Sequence, residues 1–441
     1  MRVMKWSAIA LAVAAAASTQ LATAAPFVSD QAEAKGFVEG SSLNLKARNY
    51  YYNRNKKDGA VDDKDWTQGF SAMYSSGYTQ GTVGVGVDAF GFFGLKLDGQ
   101  DQYSGSGNLV VDSRGRNEDS FGKAGGAVKF RISKTELKIG DMMPTSPVFA
   151  VGGSRLISQT ASGISLQSSE FAGLDLEAGH FYSGTSQDET NRNGNIWANY
   201  AGVTAKTADF AGGKYSITDS LGVAFYAANL EDVWNQYYAN INYALPLSGD
   251  QSLAFDANLY RTVDEGSAKA GSISNTAFSG SVAYSFLAAH TVTLALQKIN
   301  GDTPFDYIGI GDNNRGGDSI FLNNSIQYSD FNGPNEKSAQ VRYDLNMAPY
   351  GVPGLSFMAR YVKGWDIDGS NTPVNSAYAG LYGSDGEHRE TNVEAKYVLQ
   401  SGPAKDLSFR IRQAWHRGNA DQAEGNIDEF RLIIDYPISV L

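Results

Sequence analysis

Apolar and polar residues alternate one for one along run after run of this chain. In "DLSFRIRQAWHR" (406–417), Leu407, Phe409, Ile411 and Trp415 share one parity, while Ser408, Arg410, Arg412, Ala414 and His416 share the other. Successive side chains of a strand point to opposite faces, so this segment has an apolar face and a cationic one. "HTVTLALQ" (290–297) sets Val292, Leu294 and Leu296 against Thr291, Thr293 and Gln297. "QVRYDLNM" (340–347) sets Val341, Tyr343, Leu345 and Met347 against Gln340, Arg342, Asp344 and Asn346. "TVGVGVDAF" (82–90), "YYANINYALPL" (237–247) and "LAFDANLY" (253–260) repeat the pattern. Runs of roughly ten residues, each closed by a turn, predict strands that cross a membrane with lipid on one face and water on the other.

The connections come in two sizes that largely take turns. Short ones include 246–252, 287–290, 350–355 and 401–406; long polar ones lie near 98–120, 142–160, 183–194, 263–273, 300–318, 368–388 and 418–427. That asymmetry is expected of an outer-membrane barrel, with tight turns at one end and long loops at the other. The expected fold is all-β: one transmembrane antiparallel barrel of about eighteen strands, with loops folded inward to constrict the pore. A soluble sandwich would alternate too, but its strands are typically shorter and fewer.

The N-terminus and the charge narrow the class. Arg2 and Lys5 precede the apolar stretch "AIALAVAAAA" (8–17), and Ala22-Thr23-Ala24 offers small residues for cleavage, so 1–24 is expected to be a secretory signal and 25–441 the barrel. Without the signal's two cations the formal charge of −11 becomes −11 − 2 = −13, a poor match for a nucleic-acid partner. No run of eighteen apolar residues exists, which excludes helical spans, and the absence of cysteine suits export.

If the apolar parity faces lipid, the other lines the lumen. Arg410 and Arg412 then project inward one pleat apart, roughly 7 Å along the strand. Lys396 in "NVEAKYVL", Arg431 in "DEFRLIIDY", and Lys46, Arg48 and Arg54 in "NLKARNYYYNR" share the inward parity of their own runs. First and last strands pair in a closed barrel, so these cations converge on one wall. Arginine supplies fixed donors matched to carboxylate, and a row of them could pass a carboxylate along in releasable steps.

Several blocks carry a family resemblance: "FVSDQAEAKGF" (27–37), "GFFGLKLDG" (91–99), "RISKTELK" (131–138), "QSSEFAGLDLEAGHF" (167–181), "PFDYIGIG" (304–311), "QYSDFNGP" (327–334) and "SGPAKDLSFRIRQAWHR" (401–417). The chain resembles the OprD family of substrate-specific outer-membrane porins, which take up basic amino acids and carbapenems. The likeness weakens in loops near 55–64, 104–118, 183–194, 311–317 and 368–386. It implies eighteen strands, infolded external loops and a basic ladder at Arg54, Arg155, Lys396, Arg410, Arg412 and Arg431, to which parity adds Arg48. It also implies an electronegative side at Tyr200, Tyr307, Asp318, Ser325, Tyr328 and Asp330. In "SIFLNNSIQYSDF", Ser325 has the opposite parity from Tyr328 and Asp330, so either a bulge or an infolded loop is expected, the loop being favoured.

The expected function is passive diffusion of small carboxylate-bearing solutes, most readily arginine, lysine, small peptides and carbapenems. Dipeptides or organic and aromatic acids are the alternative. Small solutes and outer-membrane lipid with lipopolysaccharide are the expected partners, in a monomer or loose homotrimer. A rival reading, a serine peptidase using His180, Asp232 and Ser319, lacks a nucleophile elbow around Ser319. A purely structural or adhesin barrel would have no ladder. His180, His290, His388 and His416 show no local ligand spacing, and no glycine-rich phosphate motif opens a helix, so neither metal nor cofactor is expected.

Overall fold

In the computed structural model, residues 26–100 and 102–441 are described; the predicted signal, 1–24, lies outside them. Eighteen strands form one antiparallel sheet that closes on itself. Closure is made by the first strand, Ser42–Lys56, pairing with the last, Ile427–Ser439, in a register from Asn44 opposite Ser439 to Lys56 opposite Ile427. The barrel strands run from eight residues (Thr135–Met142) to fifteen (Ser42–Lys56 and Gly84–Asp98).

Parity holds around the barrel. In Ser408–Gly418, Phe409, Ile411 and Trp415 are 38%, 46% and 39% exposed, whereas Ala414 and His416 are 0% exposed. Leu294, Leu296 and Val341 likewise point outward. These apolar side chains form the face that lipid covers, so the strands need no alternating core partner outside. Connections of two residues (133–134, 172–173 and 219–220) sit at one end, and 301–336 is the longest at the other. Residues 26–41 close against the short-turn end, where Val28 donates its N–H to Ser169 Oγ and Arg131 Nε bonds Gln31 Oε1.

The packed core lies inside the barrel, beneath loops that fold in. The 143–159 connection carries a small hairpin, Thr145–Ser146 with Phe149–Ala150. Phe149 stacks at 4.5 Å on Phe181 of the wall, and Phe210 lies 6.2 Å from each. Tyr260 clamps two loops at once: its hydroxyl donates to Pro147 O and accepts from Phe321 N. The 301–336 connection crosses the lumen as a strap. On one side Asn323 bonds Asp256, Ser279 and Ser281; on the other Tyr328 N and Ser329 N donate to Glu390, and Gln327 donates to Glu429. No strand runs through 320–336, which settles the Ser325 parity conflict in favour of an infolded loop. Its polar side chains are wall contacts, so strand alternation does not apply to them.

Ile411→Arg places a cation on the lipid face, whereas residues 410 and 412 carry theirs toward water. The substitution is expected to lower folding stability in bilayers by about 2–4 kcal/mol, read from urea unfolding into lipid vesicles. No loss relative to the parent would contradict the assigned parity.

Candidate functional site: the luminal pathway

The cations predicted on strand parity all fall on adjoining strands at the barrel seam. Lys396 stands opposite Arg410, and Arg412 stands opposite Arg431 on its other neighbour. One feature differs from the expected free row: carboxylates interleave with the cations. Glu394, directly opposite Arg412, pairs with Arg410 at 2.7 Å and with Arg412 at 3.1 Å. Glu429 holds Arg54 at 2.6 Å and Arg431 at 2.5 Å while accepting the Tyr52 hydroxyl. Asp435 holds Arg48 through two bonds of 2.7 and 2.9 Å. Buried or half-buried charge requires such partners, because desolvation would otherwise cost several kcal/mol per ion.

These pairings divide the predicted cations into two groups. Arg48, Arg54, Arg155 and Arg431 fasten infolded chain. Arg48 donates to Arg155 O (2.5 Å) and Gly153 O (3.3 Å), Arg155 Nε to Ser106 O, and Arg431 to Gln327 O. The Arg54 guanidinium lies 4.8 Å from the Tyr328 ring, a cation–π contact. Tyr328 therefore sits against the basic wall, not on the opposing side that the resemblance implied. Lys396, Arg410 and Arg412 instead line an open luminal cavity of about 660 Å³ at the short-turn end. Arg342 and Arg360 join them there, facing one another across adjoining strands. Arg342 is paired bidentately with Asp344, and Arg360 donates twice to Asn392 Oδ1. Sequence reasoning did not single out this pair, although their inward parity was the signal that could have found them.

Four of the six predicted electronegative residues, Tyr200, Tyr307, Ser325 and Asp330, form one bonded unit. Asp330 accepts the hydroxyls of Tyr200 and Tyr307, each at 2.9 Å, on one oxygen and Ser325 Oγ at 2.6 Å on the other. Enclosure raises its pKa, and the three hydroxyls oppose that shift. Behind it, Asp306 accepts three backbone N–H groups and the Tyr378 hydroxyl, yet burial pushes its pKa up to about 6. Asp306 was missed by the sequence reading, since a carboxylate that folds a loop has no local signature. Asp318 joins the two infolded loops, donating its N–H to Ala150 O and accepting Gly153 N. Acidic and basic groups thus meet where the loops meet, two residues from Arg155.

The residues of the hydrolase rival form no hydrogen-bonded relay. His180 faces outward and pairs with Asp209 at 2.7 Å; Asp232 pairs with Lys269; Ser319 is fully buried, with a hydroxyl that has no hydrogen-bond partner. The nucleophile–base contact such chemistry requires is absent among these bonds.

A closed eighteen-stranded barrel with an apolar belt, a charged lumen and loops strapped across it defines a substrate-specific porin of the outer membrane. A family profile described as "outer membrane porin, OprD family" matches residues 35–440, and the chain belongs to that family. It is 65% identical to Porin D of Pseudomonas aeruginosa over the whole of both chains. The crystal structure of OprD from that organism superposes with a TM-score of 0.84 at 62% identity, covering 95% of this chain and 100% of that one. The structure of Pseudomonas aeruginosa OpdK with vanillate gives 0.83 at 33% identity, covering 92% and 100%.

Arg48→Met removes the Asp435 pair and both carbonyl bonds that hold the 143–159 loop inward. A loss of about 2–3 kcal/mol of local anchoring is expected, widening the pore and raising single-channel conductance in planar bilayers. Conductance identical to the parent's would contradict the role of Arg48 as a strap.

Proposed function

We propose that this porin admits small carboxylate-bearing solutes by passive diffusion, with arginine, lysine, small peptides and carbapenems as its principal substrates. The carrying observation is the cavity lined by Lys396, Arg410, Arg412, Arg342 and Arg360, five cations against the carboxylates Glu394 and Asp344. Three positive charges remain in excess there (5 − 2 = 3), enough to favour a carboxylate. The intermixed carboxylates keep each step weak, as conduction requires. The substrate's amino or guanidinium group is served on the way by Asp318 and Asp330, and the tyrosines set the width. Likeness to Porin D favours basic amino acids; likeness to OpdK, solved with vanillate, keeps an aromatic acid as the second reading.

The same reading makes the chain a channel and not a peptidase, because its candidate serine lies fully buried, away from hydroxyl partners. A serine-reactive phosphonate is expected to leave the protein unlabelled; labelling abolished by Ser319→Ala would reverse this. Lipopolysaccharide fits the outward row Lys337, Lys363, Arg389 and Arg417 at the long-loop end. The pore is complete in one chain, so monomer and loose trimer conduct alike.

The ladder is tested by Arg410→Gln combined with Arg412→Gln. Arginine uptake into proteoliposomes is expected to fall about tenfold, the loss of one charge-assisted hydrogen bond of ~1.5 kcal/mol. Undiminished uptake would remove the ladder from the account.

A further inference from the structure

One side-chain cluster is used neither by the basic wall nor by the Asp330 unit. His388 and His416 both point inward from adjoining strands near the long-loop end. They are diagonal neighbours, because His388 stands opposite Gly418 and His416 opposite Glu390. Both are buried, and their facing nitrogens, His388 Nδ1 and His416 Nε2, lie 2.9 Å apart. Each ring's other nitrogen is already committed. His388 Nε2 meets Glu336 Oε1 at 2.7 Å, and His416 Nδ1 meets the Gly425 carbonyl at 2.9 Å.

Those commitments fix the tautomers. A carbonyl oxygen only accepts, so His416 carries its proton on Nδ1; the Glu336 carboxylate likewise draws the His388 proton to Nε2. In neutral imidazoles the two facing nitrogens are then both lone pairs, a repulsive contact that either a proton or a metal ion between them would relieve. A third donor converges on the same point. Glu424 Oε2 is buried and lies 3.6 Å from His388 Nδ1 and 3.5 Å from His416 Nε2. All three atoms fall within 4.8 Å of one another.

We propose that His388, His416 and Glu424 form a site for one divalent transition-metal ion of the Zn²⁺ class. Two imidazoles and one carboxylate are a known donor set for that metal, with the fourth position left to water. Metal–nitrogen bonds of about 2.0–2.1 Å would spread the nitrogens by a few tenths of an ångström from their present spacing. The supporting shell is already in place: a carboxylate behind one histidine and a backbone carbonyl behind the other orient the rings as metal-bound imidazoles are oriented. Glu336 and Glu424 together carry two negative charges, which a divalent ion neutralises. The ion would join two wall strands to the 419–426 connection and, through Glu336, to the end of the 301–336 strap. Phe331 and Tyr328 of that strap lie 4.3 and 5.0 Å from the two rings. The site is independent of which solute the pore admits.

The test is Zn²⁺ titration of the full folded chain in detergent at neutral pH, in competition with a chromophoric chelator, with heat-modifiable migration confirming the barrel. About one equivalent is expected to bind. Glu336→Gln is expected to weaken it about 10–100-fold by freeing the ring it orients. His416→Ala is expected to abolish it, and His180→Ala, on the outer face, to leave it intact. Should His416→Ala fail to fold, Glu424→Gln, which keeps shape and removes the ligand charge, decides the matter by the same readout. Wild-type protein that takes up no metal would mean a shared proton bridges the histidines and would overturn the proposal. Binding undiminished in His416→Ala or Glu424→Gln would overturn it equally.

Discussion

Everything in this molecule depends on closure of the sheet. Lipid offers backbone N–H and C=O groups no hydrogen bond, so a strand crossing it needs a partner on both sides. The pairing of Ser42–Lys56 with Ile427–Ser439 removes the last free edges. Once the ring is closed, side-chain parity has no freedom left: every second residue meets lipid, and the rest meet an enclosed lumen. The chemistry of the pore is therefore a consequence of register. Arg412 faces Arg431, and Glu394 faces Arg412, because hydrogen-bonded ladders put them there.

Charge in that lumen is organised by the cost of enclosing it. The barrel does not present bare arginines; it sets Glu394, Glu429 and Asp435 among them and uses several of the resulting pairs to fasten chain. Loops that fold inward bring polar backbone with them, and wall side chains such as Glu390 and Tyr260 satisfy it. The constriction is thus built from the same contacts that compensate the enclosed charge. The groups that hold the loops in place also set the field that a solute crosses.

The fold was legible in the sequence because alternation is a local property. "DLSFRIRQAWHR" alone assigns Phe409, Ile411 and Trp415 to lipid and Arg410, Arg412 and His416 to the lumen, and the structure agrees. Contacts made across the lumen were not legible. Nothing near Asp330 in sequence announces the hydroxyls of Tyr200 and Tyr307, and Tyr328 could not be placed against Arg54 without the path of the strap. The histidine pair was missed for the same reason. A search for ligands spaced along one segment passes over His388 and His416, which meet only through the register of two strands. The carboxylates that pair with the wall cations were on the inward parity all along; Glu394, partner of Arg410 and Arg412, lies two residues from Lys396.

The central claim is that the basic wall recognises the carboxylate, so the most direct measurement compares two solutes that differ in that group alone. Arginine and agmatine share the guanidinium and the carbon chain, but agmatine lacks the carboxylate. With each at the same concentration and no membrane potential, initial uptake into proteoliposomes is predicted to be clearly faster for arginine and to saturate at lower concentration. Equal rates and equal saturation for the two would contradict the account, because the wall of Lys396, Arg410 and Arg412 would then have no part in choosing what passes.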